Sequence, residues 1–96
     1  MMRLIKKANI IQDAQAYPPD IQKSVMAWCK VVKQANWESL DDIRKTYDRS
    51  VDQVGKFLVF NIKSYRLIVI CNFKAQIIYY RYFLTHPEYD KGQWKR

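Results

Sequence analysis

Three apolar runs rich in β-branched and aromatic residues, Phe57–Ile62, Tyr65–Phe73 and Gln76–Leu84, follow one another with only Lys63-Ser64 and Lys74-Ala75 between them. Runs of this length and composition read as strands. Parallel neighbours need a crossover of a dozen or more residues, whereas a two-residue link can only fold one strand back on the last. The second half of the chain is therefore expected to be an antiparallel meander. The whole chain has 96 residues, which sets the expectation of a single domain over 1–96 that buries about 65% of its unfolded surface. Its 49% hydrophobic content, with two glycines and three prolines, excludes a disordered or collagen-like chain.

The first half has a different period. Met2–Ile5 is a short apolar start suited to a strand, and Leu4, Ala8, Ile11 and Ala14 recur at helical spacing, predicting a helix over 6–16 that Tyr17-Pro18-Pro19 ends. Pro19 fits the first turn of the next helix, where its missing N–H would have no partner anyway. Ile21, Val25, Trp28, Cys29 and Val32 then form one apolar stripe, with Lys23, Lys30 and Lys33 off it, predicting a helix over 20–35. Ser39 with Asp41 and Asp42 signals a capped helix start and a short helix over 39–46. The expected order is β-α-α-(α)-β-β-β, an α+β fold with helices on one face of a small antiparallel sheet.

If Lys74-Ala75 is a two-residue turn, Phe73 opposes Gln76, Ile68 opposes Arg81 and Arg66 opposes Phe83. Alternation then sorts the side chains. Tyr65, Leu67, Val69, Cys71 and Phe73 share the core face with Ile78, Tyr80, Tyr82 and Leu84. Arg66, Ile68, Ile70 and Asn72 share the other with Ile77, Tyr79, Arg81 and Phe83. Two arginines and two aromatics on the less apolar face suit phosphate contact and base stacking. An alternative assigns both arginines to ion pairs with Glu88 or Asp90.

Net charge is +8, from 17 Lys and Arg against 9 Asp and Glu, and the excess is larger in residues 51–96 than in residues 1–50. Such a balance favours a polyanionic partner, although a basic surface also serves solubility alone. Cys29 and Cys71 lack metal or redox spacing and have apolar neighbours, so they read as buried small hydrophobes in a reducing compartment. Met1–Ile5 is too short for a signal sequence and no apolar run is long enough to span a membrane. A soluble, cytoplasmic protein is expected.

The single histidine, His86, lies in Thr85-His86-Pro87-Glu88-Tyr89-Asp90-Lys91, directly after the last strand. One histidine without ligands at zinc spacing argues against a metal site, and no cofactor is expected. Glycines only at 55 and 92 exclude phosphate loops and dinucleotide fingerprints, and no serine sits in a nucleophile elbow. An imidazole can exchange a proton at neutral pH, and a helical turn would bring Tyr89 and Asp90 to its side. Cleaving RNA needs removal of the 2′-OH proton, stabilisation of phosphate charge and protonation of the 5′-oxygen. His86, Tyr89 and the strand arginines supply groups for all three. The alternative is a capped turn ending the strand, with His86 an exposed loop residue.

Val59-Phe60-Asn61-Ile62, Tyr65-Arg66-Leu67-Ile68-Val69, Tyr79-Tyr80-Arg81 and Thr85-His86-Pro87-Glu88-Tyr89-Asp90-Lys91 with Trp94 resemble the HigB family of bacterial toxins, part of the wider RelE-like group. Met2-Arg3-Leu4-Ile5 and Trp28, Val32, Lys33 and Trp37 match the same layout, so the resemblance covers nearly the whole chain. One departure is the link Ile62-Lys63-Ser64-Tyr65, shorter than the glycine- and asparagine-bearing turn of many members.

The resemblance implies a RelE-like fold and the toxin of a type II toxin–antitoxin pair. The implied activity is that of an mRNA endonuclease acting on message on the translating ribosome, restrained by a helix-turn-helix, HigA-like antitoxin. It implies that Arg66 and Arg81 bind the scissile phosphate and that His86, Tyr89 and Asp90 form the acid–base and orienting group. Lys91, Lys95 and Arg96 would contact RNA backbone, with Lys63 and Tyr79 in the same RNA-binding set. Trp94 would either stack on a base or cover the core. Two readings from other classes are a non-catalytic RNA- or ribosome-binding module and a basic protein-interaction domain.

Overall fold

The computed structural model describes residues 1–95. Its elements are β1 (Arg3–Ile5), α1 (Lys7–Ala14), α2 (Pro19–Gln34), α3 (Leu40–Tyr47), β2 (Val51–Val54), β3 (Phe57–Ile62), β4 (Tyr65–Asn72), β5 (Ile77–Thr85) and α4 (His86–Asp90), with single 3-10 turns at Asp48–Ser50 and Gln93–Lys95. The expected α+β layout is the observed one. Pro19 opens α2, and all five residues of the predicted stripe are buried along it. The Ser39 hydroxyl caps α3, accepting from the Asp42 N–H at 3.3 Å. In α1 the buried residues are Ile10 and Ala14, while Ala8 is exposed. Here Lys6 takes a left-handed conformation, φ 68°, and resets the helical phase after β1.

Five strands form the sheet, in the order β1-β5-β4-β3-β2. The meander is antiparallel, but β1 lies parallel to β5, pairing Arg3 with Ile77 and Ile5 with Tyr79, so the sheet is mixed. The strand β2 adds an edge that the sequence reading left out. It joins β3 through Gly55-Lys56, with Gly55 at φ 59°, the conformation a two-residue hairpin asks of its first central position. The short link at Lys63-Ser64 closes Ile62 against Tyr65, with Lys63 itself at φ 55°.

One correction concerns the last hairpin. Its turn runs over Phe73–Gln76, with the Gln76 N–H donating to the Phe73 carbonyl at 3.2 Å. From Asn72–Ile77 to Val69–Tyr80 the pairing keeps the expected frame, but Ile68 then faces Tyr82, and Arg66 faces Leu84. Arg81 is the extra residue of a β-bulge, because β5 has nine residues and β4 eight. Every side chain beyond it changes face. Phe83, expected on the open face, is buried on the helix side against Tyr17 and Tyr65, with ring centroids 5.5 Å from each. Tyr82 and Leu84, expected in the core, lie on the open face instead.

The sheet therefore has two apolar layers. On the helix side, Phe60, Leu67, Val69, Ile78, Tyr80 and Phe83 pack against Ile10, Val25, Trp28, Val32 and Ile43 of α1–α3. On the other side, Phe57, Val59, Ile68 and Trp94 form a smaller cluster with Ile70, Tyr82, Leu84 and Tyr89. Thus α1–α3 keep to one face, as expected, and the α4 segment covers one end of the opposite face.

Both cysteines are free, Cys29 buried and Cys71 half-buried. Burial pushes the Cys29 thiol up from its ordinary value, and pushes Cys71 from 9.0 up to about 11. A raised acid pKa disfavours the thiolate in the folded state. Its stabilising contribution is thus whole below pH 9 and is lost as pH climbs through about 11. Neither thiol should react with a disulfide reagent at pH 8 in the native protein, and both should react once denaturant is added. Fast native labelling of either would contradict this packing.

Candidate functional site

Thr85 ends β5 and starts α4. Its hydroxyl accepts from the Glu88 N–H at 3.4 Å, while the Glu88 carboxylate accepts from the Thr85 N–H at 3.0 Å, a reciprocal capping box. This engages Glu88 locally, and neither Arg66 nor Arg81 forms an ion pair among the described residues. Both guanidinium groups therefore remain open to an external anion.

The five-residue α4 sets His86 and Asp90 one turn apart, with Nδ1 and Oδ1 at 3.6 Å and both side chains more than half exposed. Tyr89, on the same helix, is half-buried. The Trp94 ring stacks on it at 5.1 Å and 15°, and the Trp94 indole N–H donates to the Tyr89 carbonyl at 2.9 Å. Trp94 in turn meets Phe57 of β3 edge-on at 5.4 Å. The Arg66 guanidinium carbon stands 5.7 Å from the Tyr89 ring centre, and its Nη1 donates to the Tyr65 carbonyl at 3.0 Å. Strand pairing places Arg66 beside Leu84, two residues before His86. One end of the open face thus carries a cation, a phenol, an imidazole and a carboxylate on a rigid support.

A concavity of about 220 Å³ adjoins them, lined by Tyr82, Leu84, Glu88, Lys91, Gln93 and Trp94. Lys91 is thus brought to the site. Lys95 projects over the Trp94 ring at 5.7 Å. Trp94 is buried and belongs to the small core beneath the site, so of its two expected roles it fills the covering one. Tyr79 is exposed and lies further along the open face, opposite Ile70. The bulge carries Arg81 away from its expected pairing with Ile68, and its guanidinium carbon lies 5.8 Å from the Tyr82 ring centre. Lys63 points to the helix side, where it bonds Asp20 in the first turn of α2 at 2.8 Å. Arg96 lies outside the described residues.

The sequence reading missed Tyr82 and Leu84 as site residues. The extra residue of β5 is the one local signal of them, and it becomes countable only when both ends of the hairpin are paired. Among the described residues, no group of three or more His, Cys, Asp or Glu side chains converges. No helix among them is long and apolar enough to cross a membrane.

A mixed five-stranded sheet backed on one face by helices, with a one-turn helix over one end of the other face, defines a RelE-like α+β fold. Residues 21–92 match the HigB toxin family, described as the RelE-like toxic component of a toxin–antitoxin system. The chain belongs to that family and is the toxin component of such a pair, which implies an antitoxin partner. A search of curated proteins returned no match.

Proposed function

We propose that the protein is a metal-independent endoribonuclease that cleaves mRNA on the translating ribosome in the cytoplasm, under the control of a helix-turn-helix, HigA-like antitoxin. The observation that carries this reading is the end of the open face. His86 stands 3.6 Å from Asp90, next to Tyr89 and an Arg66 that no carboxylate neutralises. With Nδ1 turned toward Asp90, Nε2 is left for proton exchange with RNA. Arg66 stabilises the charge that builds on the scissile phosphate, and Arg81, carried to the sheet edge by the bulge, holds the neighbouring backbone. His86 and Tyr89 are the two groups able to move protons, one from the 2′-OH and one to the departing 5′-oxygen. Lys91 and Lys95 hold the flanking backbone electrostatically.

Attack by the 2′-OH has a chemical signature. RNA cut in a translating extract supplied with the purified toxin should carry 2′,3′-cyclic phosphate and 5′-hydroxyl ends. Ends bearing 5′-phosphate would overturn this mechanism, and salt-sensitive RNA binding with no new ends would favour a non-catalytic module.

A further inference from the structure

Strand β1 is three residues long and pairs only with Ile77–Tyr79. At Lys6 the chain then turns away into α1, so β5 from Tyr80 onward has no neighbour on that side. The bulge at Arg81 falls at this uncovered stretch. The result is a polar notch of about 270 Å³ lined by Lys6, Asn9, Asp13, Tyr80, Arg81 and Tyr82. Tyr82 also lines the concavity beside Lys91 and Trp94, so the notch adjoins the candidate site across one aromatic wall.

Its polar groups are held in place. The buried Tyr80 donates its hydroxyl to Asp13 Oδ2 at 2.6 Å, anchoring the carboxylate and leaving Oδ1 as an acceptor. Burial and the bond to Asp13 raise the Tyr80 phenol far above its ordinary value, so the direction of donation is constant. Asn9 stands one helical turn before Asp13 on α1, both exposed. Among the described residues Lys6 and Arg81 form no ion pair, even with Asp13 in the same notch.

We propose that this notch is a nucleotide subsite flanking the cut, with Lys6 and Arg81 on a phosphate and Asp13, aided by Asn9, reading a base that carries an exocyclic amino group. The inference rests on RNA being the substrate. A fixed carboxylate accepts well from the amino group of adenine, cytosine or guanine. The ring N–H of uracil is flanked by two carbonyl oxygens, whose lone pairs would face the carboxylate. Uridine is therefore the base this subsite disfavours.

The test is to map cut positions in a translating extract for the wild-type chain and for the Asp13→Asn and Asn9→Ala variants. Asparagine keeps an acceptor for Tyr80 but turns the outward oxygen into a donor. Wild type should show about tenfold depletion of uridine at one fixed position flanking the cut. Asp13→Asn should abolish or reverse the depletion, and Asn9→Ala should weaken it. Cutting without that depletion, or with it intact in Asp13→Asn, overturns the subsite and leaves the nuclease reading standing. If wild type does not cut, the nuclease reading fails, and binding of oligocytidylate against oligouridylate decides the subsite. A cytidine preference lost in Asp13→Asn supports it; equal binding or none overturns it.

Discussion

His86→Ala is expected to slow RNA cleavage by about 10²–10⁴-fold, the range for losing a positioned general acid or base. The imidazole is exposed, with the Asp90 carboxylate 3.6 Å away, so truncation removes proton transfer without opening the core. Thermal stability should change by less than about 0.5 kcal/mol, as for other surface positions. Tyr89→Phe keeps the ring that stacks on Trp94 and removes only the hydroxyl. In combination with His86→Ala it should leave no more than residual cutting, measured as the single-turnover rate in a translating extract. Full activity in the double variant would remove the chemistry from α4.

Phe60→Ala should have the largest effect on stability. Phe60 is 1% exposed in the middle of β3, edge-on to Trp28 and Tyr47 at 5.3 Å each and stacked with Trp37 at 6.4 Å. Its loss forfeits the transfer energy of a whole aromatic and leaves a cavity ringed by rigid neighbours, for about 3–5 kcal/mol. Small domains have only about 5–15 kcal/mol to lose, so urea unfolding should begin at much lower denaturant. Phe60 faces the helices, away from α4, so cleavage per folded molecule should not change. A fall in the denaturation midpoint equivalent to less than about 1 kcal/mol would contradict the packing around β3.

The parts of the fold legible in advance are those whose signal is local. The α2 stripe repeats within sixteen residues, and all five of its apolar residues are buried. The turn at Thr85–Asp90 is set by its own side chains, which is why the approach of His86 to Asp90 one turn on can be read from spacing. Other features need partners far along the chain. The parallel seat of β1 depends on β5, more than seventy residues away. The edge strand β2 shows two exposed polar residues, Asp52 and Gln53, and no burial alternation of its own. Trp94 has no amphipathic context that separates a covering role from a stacking one. Phe57, thirty-seven residues earlier, supplies the surface on which it closes.

What the sequence alone determined is the α+β class, the meander and the composition of the Thr85–Asp90 segment, because helical period, two-residue links and capping act between near neighbours. Tertiary structure decided which side chains reach the open face. A strand alternates with period two, so the one residue inserted at Arg81 sends Phe83 inward, Tyr82 and Leu84 outward, and Arg81 itself to the uncovered edge beside α1. That insertion follows from pairing nine residues of β5 with eight of β4 between fixed ends. No window of the sequence shorter than the hairpin contains it.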